Sequence, residues 1–306
     1  MKRIDIKLNK KAAFTIVELL TVMSIIVILI GVLLPALAGV RRFASKVKQM
    51  AQFHSIDAAI ELFNNEFDGY PPSSALDPTD NEYCGAMKLC EAMMGQDMLG
   101  FHTNSIYRSD GLDAAGTTKL YGLAVSDLGY ADNLKARKGP FLPSEGVNAY
   151  AISDIYQSPD PPFGDPCDLV LCDVYTRPLL TGKKTGMPVL YYKANTANSL
   201  HYNPADPTNP PPPSNPTEDA GNIYNYYDNQ DLVKLGKPWV GGLPSSLEKR
   251  HSLENVDRFY KSTRSHKITT ASRPYRADSY ILLSAGYDGE YGTADDLFNF
   301  EWEYTP

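Results

Sequence analysis

The stretch AAFTIVELLTVMSIIVILIGVLLPALAGV, residues 12–40, limits what this chain can be more than any other feature. From residue 19 to residue 40 it holds 22 consecutive positions without a charged side chain. About 20 such residues in a helix cross the hydrocarbon of a bilayer. A secretory signal has a shorter apolar core with a small-residue cleavage site behind it, so the run is too long for that reading. The second oddity is Glu18, at the head of the run. A carboxylate in hydrocarbon is costly, and such groups face a partner. An ordinary single-pass anchor explains the length but leaves Glu18 a cost without a return.

The flanks do not orient the segment. Lys2, Arg3, Lys7, Lys10 and Lys11 precede it, and Arg41, Arg42, Lys46 and Lys48 follow it almost as densely. The five leading cations against Asp5 give residues 1–13 a charge of +4, so the rest of the chain carries −11 of the formal −7. A basic surface for nucleic acid is therefore not its dominant feature, and no nucleic-acid partner is expected. Hydrophobic content is an ordinary 43%, so the apolar run is a local feature on a globular background.

AAFTIVELL resembles the prepilin motif of type IV pilins and type II secretion pseudopilins. Ala13 is the small residue before the cut, where the family usually has Gly. Phe14 is the aromatic after it, Glu18 falls fifth in the mature chain, and Pro35 stands where many members carry proline. The resemblance implies a leader of residues 1–13 removed by a prepilin peptidase and N-methylation of Phe14. It implies assembly into a homo-oligomeric helical filament with other pseudopilins on an inner-membrane platform. It also gives Glu18 a partner: the Phe14 ammonium of a neighbouring subunit, which would set the stagger between subunits as a buried polar residue sets register in a coiled coil.

Behind the run, Phe43, Val47, Met50, Phe53, Ile56, Ile60, Phe63 and Phe67 recur at spacings of three and four, one face of an amphipathic helix. Asp68-Gly69 supplies a stop and Pro71-Pro72 forbids continuation. The expected helix over residues 14–67 is about 80 Å long at about 1.5 Å per residue, kinked or locally melted at Pro35. Residues 14–40 would be the membrane and filament-core half, residues 41–70 the amphipathic half, and residues 71–306 a periplasmic globular domain.

FDGYPPSSALD is similar to the helix exit of major pseudopilins. A short helix is expected over residues 81–95, with Met87, Cys90, Met93 and Met94 on its apolar side, read as core. Residues 100–185 are irregular, GMPVLYYKAN (residues 186–195) reads as a strand, and NPADPTNPPPPSNP holds seven prolines in an extended surface loop. NIYNYYDN and GYADN read as surface tyrosines. Four cysteines fall in close pairs, Cys84 with Cys90 and Cys167 with Cys172, at spacings that do not suit a zinc knuckle. Two readings stay open: local disulfides, if the body lies outside the cytoplasm, or small buried thiols.

Near the end, SYILLSAG and DLFNFEW read as strands around the loop AGYDGEYGTADD. Its three aspartates share a loop with Gly286, Gly289 and Gly292, and carboxylates with inward-aimed carbonyls make a hard oxygen site suited to calcium. The loop resembles the calcium loop of major pseudopilins. That resemblance implies Asp288, Asp295 and Asp296 as side-chain ligands and the carbonyls of Ala285, Glu290 and Thr293 as the remainder, with a structural ion.

The expected fold is thus α+β, a pilin fold: a long N-terminal helix on a small C-terminal antiparallel sheet (residues 279–306), with a loop-rich insertion over about residues 80–278. The five histidines form no H-E-x-x-H pattern, and neither a G-x-S-x-G elbow nor a P-loop occurs, so no enzyme is expected. The first functional expectation is a subunit of a type II secretion pseudopilus in the bacterial inner membrane. The alternatives are a type IV pilin for adhesion, motility or DNA uptake, and a membrane-tethered binding domain using its tyrosines.

Overall fold

The computed structural model describes residues 15–143, 148–157, 168–206, 209–243, 246–268 and 271–304. Ala13, Phe14 and Cys167 lie outside them. The chain is α+β, with one long apolar N-terminal helix and small antiparallel sheets. It divides into two compact units between Ser45 and Lys46.

Helix α1 (Ile16–Phe67) is 52 residues long. Helical structure runs through position 35 without a break, so Pro35 removes one hydrogen bond without melting the helix. In the first unit every described side chain from residue 15 to residue 44 is exposed, the large apolar ones included. Among the described residues α1 is the one helix long and apolar enough to cross a membrane, by length and composition.

In the second unit the same helix becomes amphipathic. Gln49, Phe53, Ile56, Ala59, Ile60 and Phe63 are buried, at the three-and-four spacing of one face. Phe43 and Val47, which continue that face in sequence, are exposed. The helix stops where the chain enters a left-handed conformation, and the residue that adopts it is Asp68 rather than Gly69.

This face packs on a three-stranded antiparallel sheet of order β7 (Leu190–Lys193), β8 (Tyr280–Ser284), β9 (Leu297–Phe298). Both sides of the sheet are covered. Tyr191, Tyr280 and Leu282 join Phe53, Ile56, Ile60 and Phe63 in one core. Leu190, Tyr192, Ile281, Leu283 and Phe298 join Phe259 and Tyr260 of α6 (Val256–Thr263) in the other. A strand covered on both faces needs apolar residues at every position, and all five of YILLS are buried. β9 is only two residues long, shorter than the alternation of DLFNFEW implies.

The insertion is not loose. Short antiparallel pairs join β1 (Phe101–His102) to β2 (Arg137–Lys138), β3 (Ala149–Ala151) to β4 (Leu169–Leu171), and β5 (Arg177–Pro178) to β6 (Lys184–Thr185). The small helix α3 (Tyr130–Lys135) lies between β1 and β2, α4 (Ile152–Ile155) between β3 and β4, and α5 (Gln230–Lys234) between β7 and β8. Helix α2 (Gly85–Met94) is buried at all ten positions, the methionines included. Its first turn is held from outside: Asn229 Oδ1 accepts from the Ala86 amide at 2.8 Å, and Asn229 Nδ2 donates to the Tyr191 carbonyl at 2.7 Å.

The structure selects one of the two open cysteine readings, buried thiols, and corrects the reading of the tyrosines. Cys84 and Cys90 are free thiols. One precedes α2 and the other sits six residues on, about 240° around the helix at 3.6 residues per turn, and they enter different cores. Cys172 is buried and free as well. The tyrosines of NIYNYYDN are also not a surface set: Tyr224 and Tyr226 are core residues. A buried tyrosine needs a partner for its hydroxyl. Here Tyr224 donates to the Arg276 carbonyl at 2.6 Å, Tyr260 to the Tyr224 carbonyl at 3.1 Å, and Tyr191 to the Pro71 carbonyl at 2.8 Å.

Candidate functional site

Glu18 has a local job. Its Oε2 accepts from the Thr15 amide at 2.9 Å and from the Thr15 hydroxyl at 2.8 Å, while the Glu18 amide donates back to Thr15 Oγ1 at 3.2 Å. This is a reciprocal capping box at the start of α1. The T-x-x-E spacing carried that signal in the sequence, beside the prepilin resemblance. Thr15 and Glu18 thus satisfy each other's amides at the helix start, and the partner implied for Glu18, the Phe14 amine, lies outside the described residues.

The aspartate loop, residues 285–296, connects β8 to β9. Its path is set by glycines at close approaches, one to backbone and one to side chains. Gly286 has φ +65°, and a Cβ there would overlap the Asp295 carbonyl. Gly289 has φ +69°, and a Cβ there would lie 2.7 Å from both the Arg177 guanidinium and the Trp239 ring. Asp288 spans the loop: Oδ1 accepts from the Glu290 amide at 2.9 Å and Oδ2 from the Thr293 hydroxyl at 2.8 Å. Asp295 is exposed. Asp296 is 2% exposed; Oδ2 accepts from the Gly292 amide at 2.8 Å, and Oδ1 is buried with no hydrogen-bond partner.

The electrostatics follow from this crowding. Burial first, then the charge of Asp288, pushes the Asp296 carboxyl well above the usual carboxylate range. The Asp288 carboxyl is raised too, by partial desolvation within the loop and then by the charges of Asp295 and Glu290, although the residue is exposed overall. Glu290 behaves oppositely. Burial opposes it, but hydrogen bonds from Lys237 (2.6 Å) and Ser252 (2.7 Å) hold its carboxyl low. Its side chain is therefore committed away from the aspartates. Of the carbonyls expected as ligands, that of Glu290 accepts from Thr293 Oγ1 at 3.2 Å and that of Thr293 from the Asp296 amide at 3.4 Å.

Among the described residues no three His, Cys, Asp or Glu side chains are grouped to hold a metal by themselves. An ion here would have to draw on backbone carbonyls too. The donor set nevertheless fits a hard divalent cation: it is all oxygen, and it includes a buried carboxylate oxygen without a partner.

Residues far away in sequence brace the loop. Arg177 donates to the carbonyls of Tyr287 (2.8 Å) and Asp288 (2.9 Å). The Leu253 amide donates to the Tyr291 carbonyl at 3.0 Å, and Arg258 Nε to the Gly292 carbonyl at 2.7 Å. No local pattern in the sequence announces these partners.

Two further buried carboxyls, Asp173 and Asp228, are each pushed up to about 7 by burial. Both serve packing. Asp228 accepts from Ser73 and faces buried Lys88, whose ammonium donates to the Ser74 and Leu76 carbonyls at 2.8 and 2.7 Å. Comparison with protein-family models, with characterised proteins and with solved structures returned no match.

Proposed function

We propose that the chain is a pilin-like filament subunit, most closely a pseudopilin of a type II secretion system, with calcium in its aspartate loop. The observation that carries this reading is the change of character along one continuous helix. The first part of α1 begins with a Thr15–Glu18 capping box and exposes every described apolar side chain. The second part buries a single face under a globular body. A soluble protein does not leave such an apolar length bare. A subunit that waits in a bilayer and then packs helix on helix in a filament uses both parts. The prepilin motif at Ala13 and Phe14 and the aspartate loop support the same family from opposite ends of the chain.

Within that family the loop favours the secretion pseudopilus over a type IV pilin for adhesion, motility or DNA uptake. The membrane-tethered binding domain loses part of its motive, because Tyr224 and Tyr226 lie in the core. The test is a gene deletion and its complemented strain, with the extracellular proteome and surface filaments followed together. Loss of exported proteins with intact surface pili is the expected result. Loss of pili with intact secretion would replace the secretion role by the pilin role. If neither changes, the filament reading fails.

A further inference from the structure

We propose that Arg177 is a positioning residue for the aspartate loop: it fixes the Tyr287–Asp288 backbone so that the Asp288 carboxylate is presented to a divalent cation. The inference rests on the calcium reading of the loop. The two terminal nitrogens of one guanidinium bind two successive carbonyls, Tyr287 at 2.8 Å and Asp288 at 2.9 Å. The guanidinium is stacked 3.9 Å from the Trp239 ring. It lies against Gly289, where the missing side chain leaves room for it. A planar fork clamped in this way holds the peptide far better than an ammonium could.

The consequence for Asp288 is directional. With its carbonyl held toward Arg177, its carboxylate spans to the Glu290 amide and the Thr293 hydroxyl, across the loop. Asp288 is exposed, and the turn that carries it is closed by the Gly289 amide donating to the Gly286 carbonyl at 3.3 Å, so Arg177 adds a second hold on the same short segment. The placement is also electrostatically costly: a fixed positive charge beside a cation site weakens binding by simple repulsion. Only a geometric gain offsets that cost.

This opposition gives a clean test. Calcium binding to the full chain in non-ionic detergent is measured by titration calorimetry for the wild type, Arg177→Lys and Arg177→Gln. Positioning predicts that both variants raise Kd about tenfold, the size seen when partners behind a metal ligand are removed. Arg177→Lys should do no better than Arg177→Gln, because charge alone does not restore the fork. If Arg177 were a bystander charge, Arg177→Gln would bind more tightly. If it only stabilised the fold, melting would fall with Kd unchanged. Either result overturns the proposal. Trp239→Leu, which removes the stack but keeps Arg177, guards against a misfolded Arg177 variant and should raise Kd by a smaller factor. A wild type that binds no calcium overturns the calcium reading and this inference together; a wild type that binds, with variants that bind equally, overturns the inference alone.

Discussion

Asp173 and Ser284 meet in a buried hydrogen bond of 2.8 Å across 111 residues of sequence. Ser284 closes β8, and its hydroxyl also accepts from the Gly286 amide at 3.1 Å, the first bond of the aspartate loop. Asp173 in turn accepts from the Tyr175 and Met187 amides, each at 3.1 Å. On the other side of Asp173, the Cys172 carbonyl takes a bond from Gln52 and the Val174 amide donates to Gln49. One short segment, residues 172–174, therefore ties the buried end of α1 to the root of the loop.

This tie has a pH signature. Burial pushes Asp173 from an ordinary 3.8 up to about 7 in the folded chain. The folded state holds that proton more tightly than the unfolded state does. Its stabilisation is therefore complete below about pH 4 and is lost as pH rises through about 7. Asp228, also raised to about 7 by burial, works in the same direction. Asp173→Asn should flatten the decline of melting temperature between pH 4 and 7. The change removed is on the order of 1 to 4 kcal/mol across that window. An unaltered pH profile in the variant would mean that Asp173 does not titrate there.

Calcium should raise the melting temperature of the full chain over that in chelator. At a free concentration about 100 times Kd the stabilisation is about 2.7 kcal/mol, or a rise of roughly 5 to 10 °C for a body of this size. Asp288→Ala removes the carboxylate that spans the loop and should abolish the calcium-induced shift. A shift of wild-type size in that variant would exclude Asp288 as a ligand.

What could be read from the chain, and what could not, divides along sequence distance. α1 was legible because its two regimes are written in local pattern: an uncharged run, then a three-and-four spacing from Phe43 to Phe67, of which Phe43 and Val47 prove exposed because the globular body covers only the later turns. β7 and β8 were legible as short apolar runs bounded by turn residues. The Thr15–Glu18 box is equally local, a T-x-x-E at the head of the apolar run. Asp173, Asp228, Lys88 and Arg177 were not legible. Ser73 and Asp228 are 155 positions apart, and Arg177 and Asp288 are 111 apart. The tyrosines misled for a different reason. Flanking Asn and Asp make NIYNYYDN look like surface, whereas backbone carbonyls satisfy the hydroxyls inside the core.

Asn229 offers a measure of how far the insertion supports the sheet. It is fully buried and bridges the first turn of α2 to the β7 carbonyl of Tyr191. Asn229→Ala leaves a buried amide and a buried carbonyl without their partner, at about 1–3 kcal/mol for each group stranded. Melting of the full chain should fall by roughly 5 to 15 °C at that size. Asn229→Asp keeps the bond to the Ala86 amide and loses the one to Tyr191, so it separates the two contributions. Melting unchanged in both variants would show that α2 and the sheet do not depend on this bridge.

The capping role of Glu18 and its proposed pairing with a neighbouring ammonium can be separated by substitution. As a helix cap it needs an acceptor at the fourth position of T-x-x-E, and glutamine serves there nearly as well as glutamate. As the partner of a neighbouring ammonium it needs a negative charge, which glutamine lacks. Glu18→Gln should therefore keep α1 intact in detergent, with unchanged helical content by circular dichroism, while incorporation into filaments in cells falls severely. Thr15→Ala is the converse. It removes the cap, at about 0.5–2 kcal/mol of local stability, and leaves the charge, so filaments should still form. If Glu18→Gln assembled as well as the wild type, the charge would be dispensable, and the capping box would be the whole account of a carboxylate at the head of an apolar helix.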